Sequence, residues 1–222
     1  MKLQRVKRWY LQRGLLVKRW IKMGLVILCV GIGIIYYIIV IKRYKESTYY
    51  KDTKLPYFAM RYDVGRLGEY LTYKYLRKYE EEGAKFLFNC YLDKDNGETT
   101  EVDVIMIHKS GIFVFESKNY SGWIFGDEKN KNWTQTLPQG KKSHKEHFLN
   151  PILQNKLHIK WLKIKLNNEN LPIHSIIVFS ERCTLKKINV ISPEIHVIKR
   201  NNIASIINQI SVTYGEKYLK LR

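Results

Sequence analysis

An α/β domain built on a mixed sheet, preceded by one membrane-spanning helix, is the fold class the sequence predicts. Three observations carry it. Met23 to Ile41 runs for 19 residues without a charge. From Tyr62 onward, helical and strand-like periods follow one another as helix, three strands, helix, strand and helix, the order expected of an α/β domain. Within that domain, Glu116 and Lys118 continue the alternating line of Ile112 and Val114, so charges stand where the strand pattern calls for apolar residues.

The apolar run, rich in Ile, Val, Leu and Tyr, would span about 28 Å as a helix. It is too long for a signal-peptide core, and no small-residue cleavage site follows it before Lys42. Trp20 precedes it, Tyr36, Tyr37 and Tyr44 lie toward its far end, and both flanks are basic, as suits the interfaces of a bilayer. The expected organisation is a basic arm over 1–22, a transmembrane helix over 23–41, a polar linker over 42–61 and a globular domain over 62–222. Eight Lys and Arg precede the span and five follow it before Met60, a bias toward a cytoplasmic N-terminus and an outward-facing domain.

Each element of the domain has its own signal. Val64, Leu67, Leu71, Tyr75 and Tyr79 recur at helical spacing, and Gly83 ends the run. Lys85–Tyr91 is apolar enough for a first strand. The Asp93–Gly97 turn, with its Asn-Gly pair, returns the chain into Thr100–His108, and Gly111–Ser117 follows. Gly122–Phe125 and Asn132–Thr136 read as a short hairpin, and Gln139–His147 as a lysine- and histidine-rich loop. Pro151 opens a long helix to Leu166, with Leu153, Leu157, Trp161 and Ile164 as its expected apolar stripe. Ser175–Phe179 reads as a buried strand, Glu194–Ile198 as another, and Asn202–Ser211 as a terminal helix.

The formal net charge is +19, but its distribution changes its meaning. Residues 1–61 hold 14 Lys and Arg against 2 acids, an excess that suits anionic headgroups beside a span. In the rest, residues 129–165 hold nine Lys and only one acid, Glu146. Such a patch, with Lys141, Lys142 and Lys145 at its centre, can follow a phosphate backbone, and the same composition fits a solvated lysine-rich surface. The three cysteines, Cys29, Cys90 and Cys183, form no CxxC pair, so neither a disulfide framework nor a zinc site is indicated.

The chemistry centres on Asp103 and on Glu116-Ser117-Lys118. A buried charge is costly without a partner, so acids and a lysine on apolar strands point to a site. Two carboxylates on neighbouring strands can share Mg²⁺ or Mn²⁺ through oxygen, the other positions being taken by water, a backbone carbonyl and phosphate. Lys118, two residues after Glu116, shares its face and can orient a water or offset developing charge. That set suits metal-assisted cleavage of a phosphodiester.

The stretch Glu101-Val102-Asp103, the run Gly111–Tyr120, Gly122 and Gly126 resemble the nuclease-related domain family. So do Gly65-Arg66-Leu67-Gly68-Glu69, Trp133 and Asn150-Pro151-Ile152-Leu153-Gln154. The resemblance covers residues 62–170, and it departs from the usual pattern at Val104, where His is common, and at Ser117, where Thr is common. It implies a restriction-endonuclease-like core with a PD-(D/E)xK site. There Asp103 and Glu116 would ligate the metal, and Lys118, Glu69 and Gln154 would complete the catalytic set. From the residues alone, Glu69 also fits an exposed helix position and Gln154 a solvent residue. The expected function is therefore a membrane-anchored, divalent-metal-dependent nuclease acting on DNA. The alternative is a membrane-tethered nucleic-acid-binding or regulatory module that does not cleave.

Overall fold

The computed structural model describes residues 2–140 and 142–219. The chain divides into two compact units, one ending at Ser47 and the other beginning at Thr48. In the first, helix α1 (Lys2–Glu46) runs unbroken for 45 residues. Within it, Lys18–Glu46 is long and apolar enough to cross a membrane, and its most apolar 18-residue window has no buried residue.

The second unit opens with helices α2 (Thr48–Thr53), α3 (Tyr57–Tyr62) and α4 (Val64–Leu76). The stretch expected as a linker is thus helical in large part, and Tyr49 of α2 is fully buried. Strands β1 (Lys85–Asp93), β2 (Thr99–His108) and β3 (Gly111–Lys118) form an antiparallel meander. Strands β4 (Gly122–Asp127), β5 (Asn132–Gln139) and β6 (Lys142–Leu149) form a second one. Helix α5 (Pro151–Leu166) then leads back to β7 (Ile173–Phe179), which lies parallel to β3. Strand β8 (Cys183–Asn189) joins the second sheet parallel to β4, and β9 (Ile195–Lys199) joins the first parallel to β7. Helix α6 (Ile203–Leu219) closes the described chain. The result is a mixed α/β fold with two mixed sheets, ordered β1-β2-β3-β7-β9 and β6-β5-β4-β8. Ile124, Trp133, Ile177, Phe179 and Cys183, drawn from both sheets, pack with Ile152 in a shared core.

Two strands differ from the sequence reading. The expected loop at Gln139–His147 is mostly strand: β6 pairs with β5 from Asn132↔Leu149 to Gln139↔Lys142. It is an edge strand, and edges carry charge rather than the apolar alternation by which strands are found. β8 was not foreseen for a similar reason, since most of its residues face solvent.

Helices α4 and α5 turn to the sheet a face that overlaps only in part the one their apolar spacing predicts, Trp161 being the stripe residue of α5 that is buried. In α4 the buried residues are Gly68, Glu69, Thr72, Tyr73 and Leu76, whereas Val64 and Tyr75 are exposed. Gly68 permits close approach, because a Cβ there would lie 2.8 Å from the Asn119 side chain. Thr72 Oγ1 meets Ser117 Oγ at 3.0 Å, and the Tyr73 ring packs edge-on against Phe86 and Phe88. In α5 the buried face holds Ile152, Asn155, His158, Trp161 and Leu162, leaving Leu153, Leu157 and Ile164 exposed. Asn155 Nδ2 donates to the Val114 carbonyl at 3.0 Å and to Ser175 Oγ at 2.9 Å, which fixes that rotation. Polar groups that satisfy the sheet outweigh a tidier apolar stripe, since a buried donor left unpaired costs about 1–3 kcal/mol.

Between the sheets, Trp133 stacks on Phe179 at 6.1 Å and donates its indole N–H to the Asp127 carbonyl at 3.0 Å. A Cβ on Gly126 would lie 2.1 Å from the Trp133 ring. Gly126→Ala is therefore expected to cost about 2–3 kcal/mol by overpacking, lowering the thermal midpoint by roughly 5–10 °C. A melting curve unchanged from wild type would show that the indole can move aside.

Candidate functional site

The site begins at a break in the first sheet. The β1–β2 ladder passes from Phe88↔Val104 to Cys90↔Val102 and skips Asn89 and Asp103. Asn89 takes a left-handed backbone, φ 52°. The faces of the strands invert there. Val102 and Ile105, an odd number of residues apart, both pack with Trp161 and Leu162 of α5. Phe88 packs on Tyr73 of α4, yet Leu92, of the same parity, joins the α5 cluster. Left-handed backbone at a non-glycine residue is locally strained and tends to mark functional sites.

The β2–β3 pairing also ends here, at Val104↔Phe115. The next residues in register are Asp103 and Glu116, and opposed residues on antiparallel strands share a face. The Ser117 backbone N–H donates to Asp103 Oδ2 at 2.8 Å. Glu116 is only 4% exposed and both of its oxygens are held. Lys118 Nζ lies 2.6 Å from Oε1, and His158 Nε2 lies 3.1 Å from Oε2. An ionised carboxylate only accepts, so His158 Nε2 carries a proton. In the neutral ring Nδ1 then accepts from the Thr100 hydroxyl, 2.9 Å away.

Electrostatics separates the two carboxyls. Burial pushes Asp103 well above the usual carboxylate range, and the Glu116 and Glu69 charges add to that effect. Burial would raise Glu116 too, but the His158 hydrogen bond and the Lys118 charge outweigh it and hold Glu116 below its ordinary value. Burial would lower Lys118, but Glu116 keeps it above its usual value and therefore charged.

A second acidic group flanks the break. Glu69 Oε2 is within 3.2 Å of the Tyr49 hydroxyl, 3.4 Å of Arg66 Nη1 and 3.4 Å of Asn89 Nδ2. Arg66 and Asn89 also reach Glu101 Oε1, at 2.8 and 3.0 Å. Burial, against the opposing Arg66 charge, pushes the Glu69 carboxyl up to about 7. The other amide atom of Asn89, Oδ1, is buried without a hydrogen-bond partner among the described residues.

Asp103, Glu116 and Lys118 thus occupy one cluster where the β2–β3 pairing ends, with Glu69 close enough for its charge to act on Asp103. Gln154 is half-buried one helical turn before His158, and no side-chain hydrogen bond ties it to the carboxylates among the described residues. Lys141 lies outside the described residues; Lys142 opens β6 and Lys145 is exposed on it, both in the second sheet. The sequence reading missed His158 and Asn89, and it named Arg66 and Glu101 within the family resemblance without giving them a role. Of these, His158 had a signal: with Asn155 and the apolar Ile152 and Leu162 it forms the stripe that α5 actually buries.

The donors suit a hard divalent cation, because two close carboxylates that oppose each other's ionisation are relieved by one. The orphaned Asn89 Oδ1 is a further hard oxygen at the same break. Among the described residues no three His, Cys, Asp or Glu side chains converge as a complete ligand set. Water and substrate oxygens would have to supply the remaining positions.

An acid at the break in β2, facing Glu-x-Lys at the end of β3 on a mixed sheet flanked by helices, is the arrangement that the resemblance to the nuclease-related domain implies. Residues 64–180 match the nuclease-related domain model, and the chain belongs to that family. It is also similar to an uncharacterised protein of Bacillus anthracis, 39% identical over 143 residues, 64% of this chain and 65% of the relative's length. The chain therefore spans just under two thirds of that relative. No solved structure matches it.

Proposed function

We propose that this protein is a membrane-anchored, divalent-metal-dependent nuclease hydrolysing phosphodiester bonds in DNA. The observation that carries the proposal is Glu116, almost fully buried yet kept ionised by Lys118 and His158, in register with Asp103. A structural ion pair needs neither the second carboxylate nor the histidine. Asp103 and Glu116 would hold Mg²⁺ or Mn²⁺, which when bound polarises the scissile phosphate and lowers the pKa of a water. Each Glu116 oxygen keeps a lone pair beyond its present hydrogen bond, so Lys118 and His158 can orient the carboxylate without blocking it. Lys118 presents its ammonium beside that carboxylate, where it offsets the charge that develops on phosphate. The apolar helix of α1 supports the membrane anchor.

The test is degradation of supercoiled plasmid by the full chain in detergent micelles, with Mg²⁺ or Mn²⁺ and with EDTA. Cleavage that needs the metal and is lost in Glu116→Gln is the expected result. Plasmid bound but left intact under every metal condition would favour the non-cleaving, regulatory reading.

A further inference from the structure

The four-stranded sheet carries an outer face that neither the core nor the carboxylate cluster uses. In-register residues on neighbouring strands share a face, so the pairings define it row by row. One row runs Lys145, Thr136, Trp123, Thr184 across β6, β5, β4 and β8. The next runs His147, Thr134, Phe125, Lys187. Trp133, on the opposite face, is 1% exposed, whereas Trp123 is 51% exposed. Lys186 Nζ stands 5.2 Å from the centre of the Trp123 ring.

Beside that ring lies an open cavity of about 540 Å³, bordered by Trp123, Thr136, Pro138, Ser143, Arg182 and Thr184. The size falls within the usual range for sites that take small organic groups, about 300–1,000 Å³. Its chemistry is a half-exposed indole among hydroxyls, with Arg182 as its cation; outside it on the same face stand Lys186 over the indole, Lys145 in the Trp123 row and Lys187 in the next. Asp127 marks the acidic far end, bonded by Asn189 Nδ2 at 2.7 Å. The groove is close along the chain to the carboxylate cluster. Arg182 Nη2 donates to the Asn119 carbonyl at 2.7 Å, one residue beyond Lys118. Ser121, on the cavity wall, is three residues past Lys118, at most about 10 Å of chain.

We propose that this face binds single-stranded nucleic acid, with one base stacked on Trp123 and the flanking phosphates on Arg182, Lys145, Lys186 and Lys187. Every base has a stackable π-face, so aromatic rings set among cations bind single strands with little sequence preference. Duplex bases are already stacked on each other and offer the indole nothing. Lys145, one of the lysines that the sequence singles out by charge, then has a neighbour that explains it, since it heads the row that contains Trp123. The inference rests on nucleic acid being the substrate, and it assigns the sheet to holding a strand that leads toward Lys118.

Fluorescence anisotropy of a labelled oligo-dT tests it, with the full chain in micelles and EDTA present so that cleavage plays no part. The expected result is that Trp123→Ala weakens binding about tenfold, the value of one base stack, while Trp123→Phe retains most of the affinity. Lys145→Ala should weaken binding and reduce the salt slope by about one. Wild-type affinity in Trp123→Ala would overturn the proposal, as would equal loss of duplex binding in that variant. A second arm uses vesicles containing phosphatidylserine: loss of vesicle binding alone would overturn it in favour of a membrane-facing sheet. Oligo-dT binding that depends on Trp123, without metal-dependent plasmid cleavage, would sustain this inference while the nuclease reading failed.

Discussion

Glu116→Gln is expected to lower metal-dependent plasmid cleavage by at least about a thousandfold, the scale at which a charge-stabilising group is lost. Read from sequence, Glu116 and Lys118 are polar groups that add nothing to a core, so their removal should barely disturb folding. The geometry argues otherwise. The Lys118 side chain is 16% exposed and has Glu116 as its ion-pair partner at 2.6 Å. Neutralising Glu116 leaves that ammonium buried without its ion-pair partner, although the Asp103 charge still acts on it, a cost of about 3 kcal/mol. Urea denaturation of each variant is thus part of the measurement. Lys118→Met removes the cation instead and should also abolish turnover, while His158→Ala should lose about 10–100-fold by freeing the carboxylate it orients. Wild-type turnover by a folded Glu116→Gln protein, with contaminating nuclease excluded, would remove Glu116 from the chemistry.

Glu69 leads to an effect of opposite sign on stability. Its carboxyl is raised to about 7 in the folded chain, chiefly by burial, from an ordinary value of 4.5. Between those values the folded state binds more protons than the unfolded one, so this group makes stability fall as pH rises. The penalty is absent below about pH 4 and complete above about pH 7, where it reaches about 3 kcal/mol. Glu69→Gln should therefore stabilise the metal-free protein at pH 8, raising its thermal midpoint by roughly 6–12 °C, with little effect at pH 5. Subtracting the variant's pH profile from that of wild type isolates Glu69 from Asp103. Parallel profiles across pH 5–8 would mean that Glu69 ionises like an ordinary surface glutamate. A stability gain accompanied by weaker Mg²⁺ binding would place the cost of that buried acid in the service of the metal.

The clustering of the central trio was legible because β3 keeps its alternation: Glu116 and Lys118 broke an apolar line, and Asp103 fell opposite Glu116 although the β2 faces invert there. The sheet order β1-β2-β3 followed from the same period and from the Asn-Gly turn. Helix faces were less legible. Spacing placed Leu67, Leu71 and Tyr75 inward on α4, but the surface it meets is made of Ser117, Asn119 and two phenylalanines, which receive Gly68, Thr72 and Tyr73 better. His158 was hidden by the same error on α5, where Leu153 and Leu157 looked like the core. Period shows that a helix has a preferred side, whereas its partner's hydrogen-bonding needs decide which side that is. Edge strands such as β6 escape because neither face must be apolar.

The inversion at Asn89 and Asp103 gives the first sheet a crossing point between two hydrophobic seams. On one side of it β1 serves α4 through Phe86 and Phe88; on the other, β1 and β2 serve α5 through Leu92 and Val102. At the crossing neither helix needs an apolar contact, so charged side chains can gather there without hollowing out either seam. The polar chemistry of this protein occupies the one stretch of the two strands that its own packing leaves unclaimed.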